Sequence, residues 1–361
     1  MADRGILDDT SLLDLLIKDL EVASEPWRIT PYWATYHERL IREIKKSGLA
    51  SLQNNYQLLK GFASGGPPTV IKPNNKLKRS VFEIVPQLPV ISKVFGEYNR
   101  LIQALHKQNV VLGQKIATQA LAQIEEQVGA LMIFGELTAG GSQEGFEYQK
   151  NSYVPTFVNY LARAADFYRI VPMEEVTSLI EIGPGLGWST IAHRTLNPHL
   201  RTIVNVDLPA TLYISTQFLK AVGGIEVVNY AQYLADEKQI FQASGEHPVC
   251  YQLPIWCFED INTPIDWLHN AFSFQEMEPN VVEAYAGHAG SIVTRGAWLL
   301  SQPDGHKIGA GGQNKQVTYS VIESAFSSFL KREEVNLPEI SKTFFNIGSE
   351  ISRLYRVKSC K

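Results

Sequence analysis

The stretch Thr177-Ser-Leu-Ile-Glu-Ile-Gly-Pro-Gly-Leu-Gly-Trp-Ser-Thr-Ile191 decides how the rest of the chain reads. Ser178 to Ile182 is a short apolar run suited to a buried strand, and it runs straight into Gly183, Gly185 and Gly187. The residues from Trp188 onward begin a helix. A strand-to-helix turn of this kind needs glycine because the chain reverses sharply and because a missing Cβ lets the backbone lie against a ligand. A nucleotide-like cofactor is the natural occupant.

Spacing narrows the choice. A dinucleotide fingerprint wants G-x-G-x-x-G, with a pyrophosphate on the helix N-terminus and the third glycine packing helix on strand. Here the run is G-x-G-x-G, and bulky Trp188 holds the place of that third glycine, which speaks against a nicotinamide oxidoreductase. Glu181, two residues before Gly183, would repel a phosphate when aimed into the pocket, but it suits a cofactor that carries an ammonium group. The next predicted strand, Arg201 to Asp207, ends in an acid placed to accept hydrogen bonds from both hydroxyls of a ribose. Together these features resemble the cofactor site of the class I methyltransferases that use S-adenosyl-L-methionine. By that resemblance Gly183, Gly185 and Gly187 approach the methionine moiety with Glu181 beside them, and Asp207, followed by Leu208, holds the ribose.

On the C-terminal side the rhythm is strand, helix, strand, helix. Pro209 to Ala221 reads as a helix, Ile225 to Tyr230 as a third strand, and Val249 to Trp256 as a fourth or an inserted strand. Trp267 to Phe272 and Gly296 to Pro303 follow as strands, and Arg353 to Val357 fits an antiparallel edge. Alternation of this kind implies an α/β fold with a Rossmann-like, doubly wound and mainly parallel sheet. Gly309 to Lys315 is glycine-rich but lacks the Lys-Ser/Thr pair of a phosphate loop.

Ligands of open α/β sheets bind beyond the carboxyl ends of the strands, so the segment after Asn270 is where acceptor chemistry belongs. The phrase Asn-Ala-Phe-Ser-Phe-Gln-Glu-Met at 270 to 277, with Glu283-Ala284-Tyr285 and Asp207-Leu208-Pro209, resembles the sugar O-methyltransferase family over about residues 150 to 305. The resemblance implies a polar small-molecule acceptor, favoured as a hydroxyl of a sugar or sugar-like metabolite. Strand alternation turns Asn270 toward the cofactor and His269 into the core or the opposite face. For a hydroxyl acceptor a base removes the proton, and Glu276, His269 or His288 could serve if within hydrogen-bond reach. Ser273, Gln275, Glu283 and Tyr153 are candidates to bind the acceptor. A second reading has Glu276 and Glu283 binding the cation of a guanidine or amine acceptor, loosely resembling the two-glutamate loop of arginine methyltransferases. A binding subunit without turnover is the rival from another class. His193, His199 and His247 read as surface groups.

On the N-terminal side, residues 1 to 150 read as a helical cap or oligomerisation domain ahead of a cofactor-binding domain over 151 to 361. Trp33, Tyr36, Leu40 and Ile44 recur at helical spacing, Gly61 to Asn75 is a loop, and Ser92 to Met132 is one or two long helices. Phe134 to Tyr153 reads as a loop and Val154 to Ile170 as a helix. A homodimer through the N-terminal helices fits this plan.

Composition bounds the rest. Of the 361 residues 45% are hydrophobic, enough for a large core, and a net charge of −4 gives no basic footprint for nucleic acid. An acidic start and the lack of a long apolar run point to a cytoplasmic protein with no membrane partner. Cys250, Cys257 and Cys360 lack metal-ligand spacing, so no metal is expected.

Overall fold

The computed structural model describes residues 6–59, 96–129, 131, 133–142, 144–240, 248–306, 314–335, 339–345 and 350–358. The predicted loop over 61–75, most of the glycine-rich segment at 309–315, His247 and Cys360 lie outside the described residues. Ten strands are described. A hairpin pairs β1 (Phe146–Tyr148) with β2 (Asn151–Tyr153). The main sheet contains β3 (Ser178–Ile182), β4 (Thr202–Asp207), β5 (Glu226–Val228), β6 (Val249–Pro254), β7 (Ile265–Ala271), β8 (Val293–Ser301), β9 (Leu330–Glu333) and β10 (Ile351–Val357). Its order is β5-β6-β4-β3-β7-β8-β10-β9. The first six strands in that order are parallel, and β10 runs antiparallel to both β8 and β9.

Every residue of β3 and β4 is buried, as expected of parallel strands covered on both faces. The expectation of an α/β, mainly parallel sheet therefore holds, with one refinement. β6 pairs with both β4 and β5, so it is an inserted strand that pushes β5 to the edge. Burial explains the order. β6 is six residues long and nearly all buried, whereas β5 has three residues with one exposed, and a short strand is the safer edge.

The described helices are α1 (Thr10–Leu20), α2 (Pro31–Ser47), α3 (Tyr56–Leu59), α4 (Gly96–Val128), α5 (Pro155–Tyr168), α6 (Trp188–Leu196), α7 (Pro209–Val222), α8 (Tyr230–Ala235), α9 (Pro279–Ile292), α10 (Tyr319–Phe326) and α11 (Ile340–Phe345). The chain moves from β3 to β4 in one direction along the sheet and from β7 to β8 in the other. Right-handed crossovers then place α6 and α9 on opposite faces. α7 joins α6, since Ser189 and Thr190 of α6 and Ser215 of α7 all reach side chains on one face of the sheet.

The apolar core runs without a break from Ile6 to Tyr355, across the boundary expected at residue 150. α1 and α2 pack on α7, where Tyr213 donates to Asp8 at 3.1 Å, and α1 also packs on α8, where Tyr230 donates to Asp19 at 2.8 Å. Trp27 seats its ring against Phe258 and Tyr285, with centroids 5.9 and 4.8 Å away. The segment 134–153, expected as a loop, carries the β1–β2 hairpin. Its turn residues Gln149 and Lys150 adopt φ of 45° and 71°, a left-handed conformation usually marked by Asn-Gly, so the sequence lacked the customary signal.

Candidate active site at the carboxyl ends of the strands

The glycine turn leaves β3 with Gly183, Gly185 and Gly187 at φ of 72°, 60° and 96°. Glycine is required at 183 for a second reason. A Cβ there would lie 2.4 Å from the Cβ of Ser273, because the loop after β7 closes directly onto this turn. Trp188 opens α6 and packs on Phe157 and Phe218, which fixes the angle at which the helix leaves the turn.

Asp207 ends β4 beside that turn. Gly185 donates its backbone N–H to Oδ2 at 3.2 Å and Leu208 donates to Oδ1 at 2.7 Å. Burial pushes the carboxyl up to about 7, against the pull of those two donors, and the charge of Glu181 adds to the rise. Each oxygen has one backbone donor and keeps a lone pair for another. Leu208, expected among the cofactor contacts, thus serves Asp207 through its N–H and caps α7.

Glu181 is placed differently from the expectation that it faces the cofactor. The parallel register sets it beside His269 of β7 and Asn205 of β4. Its Oε1 lies 3.2 Å from His269 Nδ1, both side chains being under 5% exposed, and its Oε2 has no partner among the described residues. The carboxylate is turned beneath α6, into a buried polar row that continues through Asn205 to Gln252. Thr190 bonds Asn205, Ser215 donates to Gln252 at 2.9 Å, and Ser189 sits 3.3 Å from His269. His269 stacks on Trp298 and stands 5.4 Å from His193, so it is a core residue on the face opposite Asn270, as alternation requires. His193 is itself buried, with Nδ1 3.0 Å from Tyr168 Oη, which corrects its reading as a surface group.

Several predicted ligands turn out to hold the loop after β7. Asn270, expected to meet the cofactor, donates both amide protons inward, to the Ile182 carbonyl at 2.8 Å and to Ser273 Oγ, and accepts from Phe274 N–H. Ser273 donates to the same Ile182 carbonyl. Gln275 accepts from Ser301 Oγ and Gln302 N–H, which ties this loop to the end of β8. These residues shape the wall of the site rather than reach into it. Tyr153 is also no acceptor ligand, because it is buried among Phe146, Tyr148 and Phe157. Glu283 is exposed on α9. His288 lies on α9 rather than in a glycine-rich loop, and its Nε2 is 2.8 Å from the Ile261 carbonyl, which commits that nitrogen to a packing contact.

Glu276 lies within reach of the charge of Asp207. It ends the 3-10 turn Phe274–Glu276, and burial raises its carboxyl to about 8, with the charge of Asp207 adding to the effect. His306 meets it from the far side, Nε2 to Oε1 at 3.4 Å, and burial lowers this imidazole. Although charged forms would attract at that distance, burial favours the neutral carboxyl beside the neutral imidazole. Tyr285 of α9, raised by burial and then by the charge of Asp207, completes the group. His306 carries no local motif in the sequence. Its signal was positional, since Asp304-Gly305-His306 follows the end of β8 at the ligand-binding edge of the sheet.

No family model matches the chain, and no curated protein does. Among solved structures it is similar to magnesium protoporphyrin IX methyltransferase from Synechocystis PCC 6803 with bound SAH, at 10% identity over 56% of this chain and 84% of that one, TM-score 0.36. It is similar to human N-acetylserotonin methyltransferase in complex with SAM, at 10% identity over 56% of each chain, TM-score 0.34. The pyocyanin biosynthetic protein PhzM gives 12% identity over 56% of each chain and a TM-score of 0.36. Likeness this slight carries no argument about chemistry. The strand order, the glycine turn and the acids at the strand ends carry it instead.

Proposed function

We propose that this chain is an S-adenosyl-L-methionine-dependent methyltransferase acting on a polar small molecule, with a hydroxyl of a sugar or sugar-like metabolite as the acceptor. The observation that carries the reading is Asp207. Its carboxylate is held across the ends of β3 and β4 by the N–H groups of Gly185 and Leu208, with a lone pair on each oxygen left for a ribose hydroxyl. The glycine turn, pressed against Ser273, gives the close backbone approach that such a cofactor needs.

When bound, the cofactor supplies an electrophilic methyl group. The chain supplies orientation and a place for the proton. Asp207 fixes the ribose end, and Asn270, Ser273 and Gln275 hold the loop that presents Glu276. Glu276 and His306 face each other at the acceptor side, and the Glu276 carboxyl, raised by burial to about 8, takes a hydroxyl proton in the ionised form that it gains as pH rises through that value. Trp27 packs behind Tyr285 and keeps water from that side. Most of the rate gain comes from holding acceptor and methyl in line in a dry site.

The amine reading fits less well. It needs two glutamates on the cation, whereas Glu283 is exposed and Glu276 already has a histidine beside it. No helix among the described residues is long and apolar enough to cross a membrane.

Calorimetric titration with S-adenosylhomocysteine and, in parallel, NADH tests the reading. Micromolar binding of the first alone is expected, weakened roughly 10- to 100-fold in Asp207→Ala by loss of charge-assisted hydrogen bonds. Wild-type protein that does not bind S-adenosylhomocysteine sinks it.

A further inference from the structure

S-adenosyl-L-methionine carries an ammonium group on its amino-acid end, and a carboxylate beside the glycine turn is the natural receiver. By the class I methyltransferase resemblance that task falls to Glu181. The structure puts Glu181 elsewhere, 2% exposed, beneath α6 and 3.2 Å from His269. A different carboxylate stands open to the turn. Leu186, between the last two glycines, and Trp188 at the start of α6 line a small cavity together with Ser142, Glu144 and Thr156. Gln53, from the N-terminal segment, closes it, with its own amide nitrogen already donating to the Leu137 and Ala139 carbonyls.

Among the described residues Glu144 is the only acidic side chain on that cavity. Among the described residues its carboxyl makes no hydrogen bond and no ion pair, although its backbone is held, with the N–H donating to Ser142 Oγ and the carbonyl accepting from Gln114. A half-buried carboxylate on a fixed backbone, without a partner, facing a cavity at a ligand-binding turn is a receiver for a cation. Resting on the cofactor reading above, we infer that Glu144, not Glu181, binds the ammonium group of the cofactor. Burial pushes the Glu144 carboxyl up to about 7, a cost that an ammonium in the cavity would offset. Residues 133 to 153 then gain a purpose. The β1–β2 hairpin packs through Tyr153 onto Phe157, the residue that also touches Trp188, and so carries the Glu144 loop to the glycine turn. Glu181 keeps a structural part in the polar row under α6.

Three ligands separate these roles in calorimetric titrations of wild type and Glu144→Gln. S-adenosylhomocysteine has the ammonium and the carboxylate, S-adenosyl-3-thiopropylamine has the ammonium alone, and 5′-methylthioadenosine has neither. All three carry the ribose, so the contribution of Asp207 cancels in their ratios. Wild type is expected to prefer the thiopropylamine over methylthioadenosine by about tenfold or more, the worth of a charge-assisted hydrogen bond. In Glu144→Gln that preference should vanish while the affinity for methylthioadenosine stays unchanged. If the variant keeps the preference, the ammonium is bound elsewhere, the cavity takes a group of the acceptor, and the inference is overturned. Equal weakening of all three ligands would show that Glu144 merely supports the fold, which also overturns it. Wild-type protein that binds methylthioadenosine and S-adenosylhomocysteine equally well overturns the placement but leaves the cofactor reading standing, whereas binding of neither removes both.

Discussion

The two ends of the site are built by different means. At the proposed cofactor end the acid, Asp207, is held by backbone N–H groups of Gly185 and Leu208, and the wall is the glycine backbone itself. At the proposed acceptor end Glu276, His306 and Tyr285 come from the segments after β7, after β8 and from α9, and Trp27 reaches Tyr285 from before α2. Backbone donors cannot be mutated away, so the first end depends on its glycines and on the one side chain they hold, Asp207. Side chains assembled from distant segments can be exchanged one at a time, so the second end is where specificity is adjustable.

The largest effect should come from the acceptor end. Glu276→Gln is expected to lower turnover roughly 10²- to 10⁴-fold, the usual worth of a positioned base, while affinity for S-adenosylhomocysteine stays near wild type. Steady-state kinetics beside calorimetry would show the split, and a parallel loss of cofactor affinity would erase the distinction between the two ends. Gly183→Ala probes the other side. The added Cβ meets Ser273 at 2.4 Å and the residue must hold a left-handed φ, so a loss of about 3 kcal/mol or more in folding stability is expected. Thermal denaturation measures it. Combining the change with Ser273→Gly should restore part of the loss by removing the overlap, but not the left-handed strain.

A smaller effect is the response to pH. Asp207 and Glu276 are raised in the folded chain to about 7 and about 8, so each contributes stability below the ordinary carboxylate range that is lost as pH rises through those values. Binding at Asp207 has the opposite sign, because the ionised carboxylate is the better acceptor for ribose hydroxyls. Affinity for 5′-methylthioadenosine should therefore climb, by at most about tenfold per pH unit, and level off above about 7. Asp207→Asn should flatten the profile, and a wild-type profile already flat would mean that the acid does not titrate at the site. The smallest effect concerns Glu283. Being exposed on α9, it should be replaceable by Gln with turnover within about twofold of wild type, as for an ordinary surface change. A large loss would revive the two-glutamate amine reading.

The parts that were legible in the sequence are those made within one local segment. The strand before Gly183, the turn, the helix after Trp188 and the acid at the end of the next strand all follow from residues near one another, and each lies where expected. The ligand roles after β7 were not legible. Asn270, Ser273 and Gln275 have the polar groups of substrate ligands, but the Ile182 carbonyl and the end of β8 claim those groups once the strands are side by side. His288 was misplaced because its glycine neighbours suggested a loop, while burial of Tyr285, Ala286, Ala289 and Ile292 carries the helix through them.

What the sequence determined by itself was the strand, turn and helix around Gly183 and the acid at Asp207, since backbone conformation and the spacing of apolar residues are set over a few positions. Only the tertiary structure decided which of two glutamates is free to meet a ligand there. Strand register brings His269 against Glu181 and seals the pair under α6, while the hairpin carries Glu144 to a cavity at the glycine turn. A carboxylate is available only if nothing else in the fold has claimed it, and that depends on contacts between residues far apart in the chain.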